Sequence, residues 1–266
     1  MVSKFEKSRA AYYKQLNKLF LKEIVEDTIV REQTLLKRKQ MPRLGGKKLY
    51  HLLKPIFTQN GLKINRDKYF MWLKENGLLV KVKKSFTKTT NSWHHFNRHT
   101  NLLKYTLVNK KNQVFVSDIT YIRLQKGFCY LALTTDAYSR KIVGYDVSNT
   151  LELSGCLRAL KMASKGQDLT NTIHHSDHGI QYCSHEFTKA LKVRGMRISM
   201  GEIGNCYENA MAERINGILK NEFNLDATFK NIEYAKKIIQ QAIDIYNNQR
   251  PHLALKMKKP SELYAA

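Results

Sequence analysis

Apolar residues in the first forty positions return every three or four residues, at Leu16, Leu19, Phe20, Ile24, Val25, Ile29 and Leu36. This predicts one long helix, opened by a Ser8 cap and running to about Lys39, with its apolar face turned to a core. The heptad is not sustained, so a long coiled coil is not expected. Pro42 and Gly45-Gly46 end the run. Two shorter helical patterns, 47–53 and 67–79, flank residues 55–65, where Pro55 stands at the first helix's end, Gly61 marks a turn and Asn65 can cap the second helix.

From residue 113 the pattern changes. Three β-branched and apolar runs, 113–124, 128–135 and 141–148, are separated by Gly127 and by Ser139-Arg140, which predicts a meander of antiparallel strands. An amphipathic helix at 151–164, a short strand at 172–175, a helix near 184–193, a strand at 197–200 and helices beyond Tyr207 follow. The fold class is therefore mixed α/β, with a helical region in front of it.

Charge sharpens that division. The 266 residues carry a net charge of +24. Residues 1–112 hold 26 Lys or Arg against 7 Asp or Glu, whereas residues 113–266 hold 20 against 15. A polyanion is the expected partner, and the front end is where it is met. Helical patterns 47–53 and 67–79 have the spacing of a helix-turn-helix, with Arg66 and Lys68 near the start of the second helix, where such helices approach base edges. Residues 81–112, rich in Lys, read as a linker laid along DNA phosphates. No apolar run approaches the roughly 20 residues of a spanning helix, and the chain opens on no signal-peptide pattern. A cytoplasmic protein with no membrane partner is expected.

Cys129, Cys156, Cys183 and Cys206 form no Cys-x-x-Cys pair, which argues for reduced thiols rather than a zinc ribbon. His94, His95 and His99 have no cysteine pair after them and read as a polar patch.

The chemistry lies in three carboxylates. Asp118 interrupts the apolar run 114–122, where an ionised group is costly unless paired or bound to a cation. Asp177 follows a short strand and precedes Gly179; Glu213 falls on a predicted helix, with thirty-five residues between it and Asp177. Oxygen-only ligands suit Mg²⁺ or Mn²⁺. Two such ions can assist both the attacking and the leaving oxygen in displacement at phosphorus. Glu208 is the rival of Glu213, but on a helix it lies about 140° away, whereas Asn209, Glu213, Asn216 and Lys220 share a face.

The words around these residues, Ser117-Asp118-Ile119-Thr120-Tyr121-Ile122, Asp136-Ala137-Tyr138-Ser139-Arg140-Lys141-Ile142-Val143-Gly144, His175-Ser176-Asp177-His178-Gly179 and Gly204-Asn205-Cys206-Tyr207-Glu208-Asn209-Ala210, resemble the OrfB catalytic subunit of the third bacterial insertion-sequence family. Tyr246-Asn247-Asn248-Gln249-Arg250-Pro251-His252 continues the match in order. The resemblance implies a ribonuclease H-like fold shared with retroviral integrases, in which the first and fourth strands are neighbours. It implies Asp118, Asp177 and Glu213 as catalytic and metal-binding residues, and Lys220 as a residue on the element's terminal DNA. It gives Asp136 a structural part.

The activity implied is transposition: metal-dependent cleavage at the ends of a mobile element and joining of a 3′ hydroxyl to target DNA. The implied partners are double-stranded DNA, further copies of the chain, and an upstream-frame protein or fusion. The expected organisation is a helical DNA-binding region at 1–80, a basic linker at 81–112 and a catalytic core at 113–266. A ribonuclease H-like nuclease or resolvase shares the carboxylates, and a domesticated copy keeps only DNA binding.

Overall fold

The structure is a computed structural model that describes residues 9–81, 99–201 and 210–266, apart from the side chain of Tyr105. The chain forms two compact units, Met1–Val80 and Lys81–Ala266.

The first unit is three helices, α1 (Arg9–Gln40), α2 (Gly46–Gln59) and α3 (Arg66–Glu75). Leu49, Leu53, Phe57, Tyr69 and Leu73 form its interior with Val30, Met41 and Leu44. The Tyr69 hydroxyl shares a 2.9 Å hydrogen bond with Thr34, which accounts for a threonine buried on α1. Asn65 caps α3 as the sequence suggests, accepting from Lys68 N at 2.8 Å. Two readings need correction. Pro55 does not end α2, which continues through it to Gln59. Phe57 lies beyond the proline and packs against Tyr69 with 5.6 Å between rings, and burial of an aromatic of that size outweighs one lost backbone bond. Nor do most of the apolar residues picked out on α1 face a core: Leu16, Leu19, Phe20, Ile24 and Val25 in its first half, and Leu36 near its end, are exposed. At about 1.5 Å per residue the 32-residue α1 is more than twice as long as α2 or α3, so they can cover only part of it.

The second unit is built on a five-stranded sheet in the order β3-β2-β1-β4-β5. Its strands are β1 (Val114–Arg123), β2 (Phe128–Asp136), β3 (Ile142–Ser148), β4 (Ile173–Ser176) and β5 (Arg197–Met200). The meander β1 to β3 is antiparallel, while β4 pairs in parallel with β1 and β5 with β4. Helices α4 (Leu153–Ser164), α5 (Ile180–Cys183) and α6 (His185–Val193) belong to the crossovers, and α7 (Ala210–Glu222), α8 (Ile232–Asn248) and α9 (Pro260–Ala265) complete the chain.

Alternation along β1 sorts its side chains between two cores, and both faces of the strand are covered. Phe115 and Ala132 pack with Cys156, Leu160, Phe187 and Leu191 of α4 and α6. On the other face Val114, Val116 and Ile173 pack with Ala212 of α7. This is why β1 reads as nearly continuous apolar sequence rather than as alternation. At Gly144 the α4 backbone comes so close that an added Cβ would stand 2.0 Å from the Ala159 carbonyl oxygen. That contact accounts for the glycine closing the Asp136 to Gly144 motif.

Within residues 99–112, three apolar side chains pack on the core. Leu102, Leu103 and Val108 cover Val114 and Val116, and Leu102 N donates to Ser199 Oγ at 2.9 Å. Three apolar residues among the lysines are the physical reason: left on a free strand, they would expose the area they bury here.

Candidate active site

In the parallel pairing of β1 with β4, the last paired residues are Ser117 and Ser176. The next residue in each case is a carboxylate, Asp118 still on β1 and Asp177 just past the end of β4. The sequence thus places two acids side by side where β4 ends, the position at which open α/β sheets hold ligands. Asp177 is fixed by its own loop, its Oδ1 accepting from Gly179 N at 3.0 Å.

Two flanking histidines brace β4. His174 Nε2 shares a 2.9 Å hydrogen bond with Ser117 Oγ, which also meets Thr134 Oγ1 at 3.0 Å. His175 Nδ1 bonds Ser199 Oγ at 2.8 Å. Burial, reinforced by the neighbouring His175, pushes His174 down to about 3, so it stays neutral. Pairing with serine on β1 and β5 explains both histidines without a metal.

Helix α7 crosses the Asp118 face. Its Asn216 is buried and donates from Nδ2 to Asp118 Oδ2 at 2.7 Å, while Ile119 N donates to Asp118 Oδ1 at 2.9 Å. Glu213 lies one turn earlier, exposed, and Lys220 one turn later, half-buried. Burial first, then the charge of Asp177 and last that of Glu213, raise the Asp118 carboxyl to about 7, against the two hydrogen bonds that favour its ionised form. Lys220 is shifted down by burial, with Asp118 and Asp226 pulling it back up. Asp118 therefore feels Asp177 and Glu213, and Lys220 in turn feels Asp118. Among the described residues no three acidic, His or Cys side chains stand close enough to form a metal cage. Asp118 is the acid on which the charges of the other two act, with exposed Glu213 the outlying member.

Other sequence candidates fall as follows. Glu208, His94, His95 and Cys206 lie outside the described residues. His99 is lowered by burial and then by Lys192. Asp136 is fully buried and accepts from Asn112 N at 2.8 Å, Ser139 N at 2.8 Å and Ser139 Oγ at 2.6 Å. It ties a turn. Arg66 and Lys68 are exposed on α3, Arg66 in a 2.9 Å ion pair with Asp67.

The motif near the end of the chain is a clasp. Tyr246 OH donates to the Arg140 carbonyl at 2.9 Å, Asn247 bonds both the amide and the carbonyl of Ile142 at 3.0 Å, and buried Arg250 holds Glu222 through two bonds of 2.7 and 2.8 Å. Glu222 is the last residue of α7, so the clasp anchors the helix that carries Glu213. Asn216 and Arg250 are the residues whose roles the sequence reading did not reach. For Asn216 the available signal was its place on the Glu213 face.

Fold and site together define a class. The Integrase core domain family matches residues 108–206, and a second family of the same description matches residues 194–260. A 31 kDa protein of insertion element IS600 from Shigella sonnei is 39% identical over 208 residues, 76% of each chain. Transposase InsF for insertion sequence IS3A of Escherichia coli is 32% identical over 183 residues, 68% of this chain and 64% of its own length. A chain of a simian T-cell lymphotropic virus intasome, solved in complex with PP2A regulatory subunit B56 gamma, superposes with a TM-score of 0.52 at 16% identity, over 84% of this chain and 75% of that one; it supports the fold alone. The chain belongs to the integrase-core transposases of bacterial insertion sequences, as an OrfB-type member of the third family.

Proposed function

We propose that this transposase cleaves DNA at the ends of its element and joins them to target DNA at a site formed by Asp118, Asp177 and Glu213, using Mg²⁺ or Mn²⁺. The observation that carries the reading is the placement of Asp118 beside Asp177 with its carboxyl raised to about 7. Two acids so placed repel each other, and a divalent cation removes that cost. The donor set fits such an ion: all its ligands are carboxylate oxygens. Asn216 adds support, because its Oδ1 is buried with no hydrogen-bond partner among the described residues and offers an acceptor beside Asp118. Asp118 and Asp177 are the residues to hold the metal, two ions being the expected complement, with Glu213 joining from α7. A bound divalent ion supplies Lewis-acid stabilisation of charge on the phosphoryl group and a more acidic nucleophile.

The protein's own residues do the rest. Asn216 fixes the Asp118 carboxylate, and Lys220, one turn beyond it, offers a cation to the element's terminal DNA. Arg66 and Lys68 offer cations from the first unit, the DNA-binding region of this reading. The partners are duplex element ends and target, held by more than one copy of the chain, with an upstream-frame protein or fusion assisting end recognition. No helix among the described residues is long and apolar enough to cross a membrane; the reading places the work in the cytoplasm, at the nucleoid.

The test is strand transfer with the element's own ends. Asp118→Asn, Asp177→Asn and Glu213→Gln are each expected to abolish it, and Glu208→Gln to be far milder. Activity surviving in one of the first three removes that residue from the site; a deep loss with Glu208→Gln reopens the choice of glutamate.

A further inference from the structure

We propose that the first half of α1 is a self-association surface, through which two copies of the chain pair antiparallel about a two-fold axis near Lys18. The proposal rests on the reading that more than one copy acts together, and it names the surface by which they meet. The association needs no DNA, so its test and that of the strand-transfer site fail separately.

Tyr12, Tyr13, Leu16, Leu19, Phe20 and Ile24 are each between 46% and 62% exposed. At about 3.6 residues per turn they fall in one stripe, with Val25 on the opposite side of the helix. Steps of three and four residues from Tyr12 through Leu16, Leu19, Glu23 and Glu26 lead on to Val30 and Thr34, which are buried, Thr34 on the Tyr69 hydroxyl of α3. The stripe is therefore the continuation of the face that already packs inside this unit. A contiguous apolar surface of this kind marks an interaction site. Six side chains about half exposed present on the order of 100 Å² each, so two helices pairing through them bury about 1,200 Å² between them, the lower end of a stable, specific interface.

A second copy is the occupant this stripe fits, because the helix complements itself. In an antiparallel pair centred on Lys18, Tyr12 stands opposite Ile24 of the other copy and Leu16 opposite Phe20, and the two-fold axis repeats both pairs. Charge selects the direction. From Arg9 to Lys18 the charged residues are Arg9, Lys14 and Lys18, all basic; from Lys22 to Asp27 one lysine stands against Glu23, Glu26 and Asp27. Antiparallel pairing sets the basic stretch against the acidic one, whereas parallel pairing sets each against its like. Asp27 is held by the Trp72 indole N–H of α3, so the acidic end of the stripe is fixed by the folded part of the unit. The contact spans about four turns, which needs no sustained heptad.

The experiment is sedimentation velocity of the full chain without DNA over a concentration series, with circular dichroism of each variant to verify folding. The unaltered chain is expected to self-associate, and the double change Leu16→Glu, Phe20→Glu to halve the mass of the assembly. Val25→Glu, at a residue equally exposed but off the stripe, is expected to leave that mass unchanged. Orientation is read by oxidative cross-linking, which decides alone if the glutamates unfold the unit. Tyr12→Cys mixed with Ile24→Cys is expected to give a linked pair, identified by the mass of the joined peptides. Tyr12→Cys by itself is not, because about 18 Å of helix separates the two copies of residue 12 in this arrangement. A monomeric unaltered chain overturns the proposal, as it would if other residues of the same chain cover the stripe. So does an assembly that Leu16→Glu, Phe20→Glu leaves whole, since the contact then lies elsewhere. A Tyr12→Cys chain joined to its own copy through residue 12 overturns the antiparallel pairing.

Discussion

Asn216 on α7 holds Asp118 on β1 through a 2.7 Å hydrogen bond between residues ninety-eight positions apart. The helix that supplies Glu213 thus also aims the carboxylate nearest the sheet's centre. Orientation of two acids depends on one helix, and that helix is anchored at its far end by Arg250.

Asn216→Ala is expected to lower strand transfer about 10- to 100-fold and to raise the Mg²⁺ concentration needed for half-maximal rate, as loss of a carboxylate's hydrogen-bond partner does at metal sites. Metal titrations of the rate, with circular dichroism to verify folding, provide the measurement. An unchanged metal requirement would show that Asp118 needs no such support.

Without metal, Asp118 is expected to keep its proton up to about pH 7, whereas an unfolded chain loses it near the ordinary 3.8. Between those values the folded state binds the extra proton, so this group's contribution to stability falls as pH rises, by about 1.4 kcal/mol per pH unit, and levels off above pH 7. Denaturation in chelator at about pH 5 and pH 8, compared with Asp118→Asn, reads that slope. Mg²⁺ is expected to stabilise the protein more at the higher pH. An equal pH dependence in the two proteins counts against the coupling.

Arg250 is 3% exposed and Glu222 16%. Removing one member of such a pair strands the other, so Arg250→Ala is expected to destabilise the catalytic unit by about 3–5 kcal/mol, with the double change Arg250→Met, Glu222→Leu much milder. Urea unfolding of the unaltered protein, Arg250→Met, Glu222→Leu and the double variant as a double-mutant cycle measures the coupling, with Arg250→Ala beside them. Additive losses would mean that the two side chains act independently.

If the first unit provides most phosphate contacts, a chain starting at Lys81 is expected to bind duplex DNA weakly and with a flatter salt dependence, each lost contact removing about 0.9 from the slope. A chain starting at Gln113 is expected to be less stable than one starting at Lys81, because it lacks Leu102, Leu103 and Val108 over Val114 and Val116. Equal affinity and slope in the full and Lys81 chains would show that the charge of the first unit is only solvated surface.

Much of this was legible in the residues, because strand and helix periods in the second unit are set by burial on one or two faces. The run 114–122 with a carboxylate inside it, and a second acid just past a short strand, foretold two neighbouring acids once β1 and β4 were taken as adjacent. Period alone could not show that Leu16 to Val25 lack a covering layer, since an apolar stripe looks the same whether or not something packs on it. Pro55 misled for a related reason: its local cost is visible in sequence, whereas the contact of Phe57 with Tyr69 that offsets it is tertiary. Asn216 and Arg250 act through partners ninety-eight and twenty-eight residues away, and separations of that kind carry no local signature.

Asn247 has a consequence of another kind. Strand β3 is an edge of the sheet, and edges with free amides and carbonyls invite pairing with another molecule. By accepting from Ile142 N and donating to Ile142 O, the Asn247 side chain takes the place of one residue of a sixth strand. A side chain inside what reads as a recombination motif thereby closes the first outward-facing amide and carbonyl of that edge, so another strand would have no free pair there to start from.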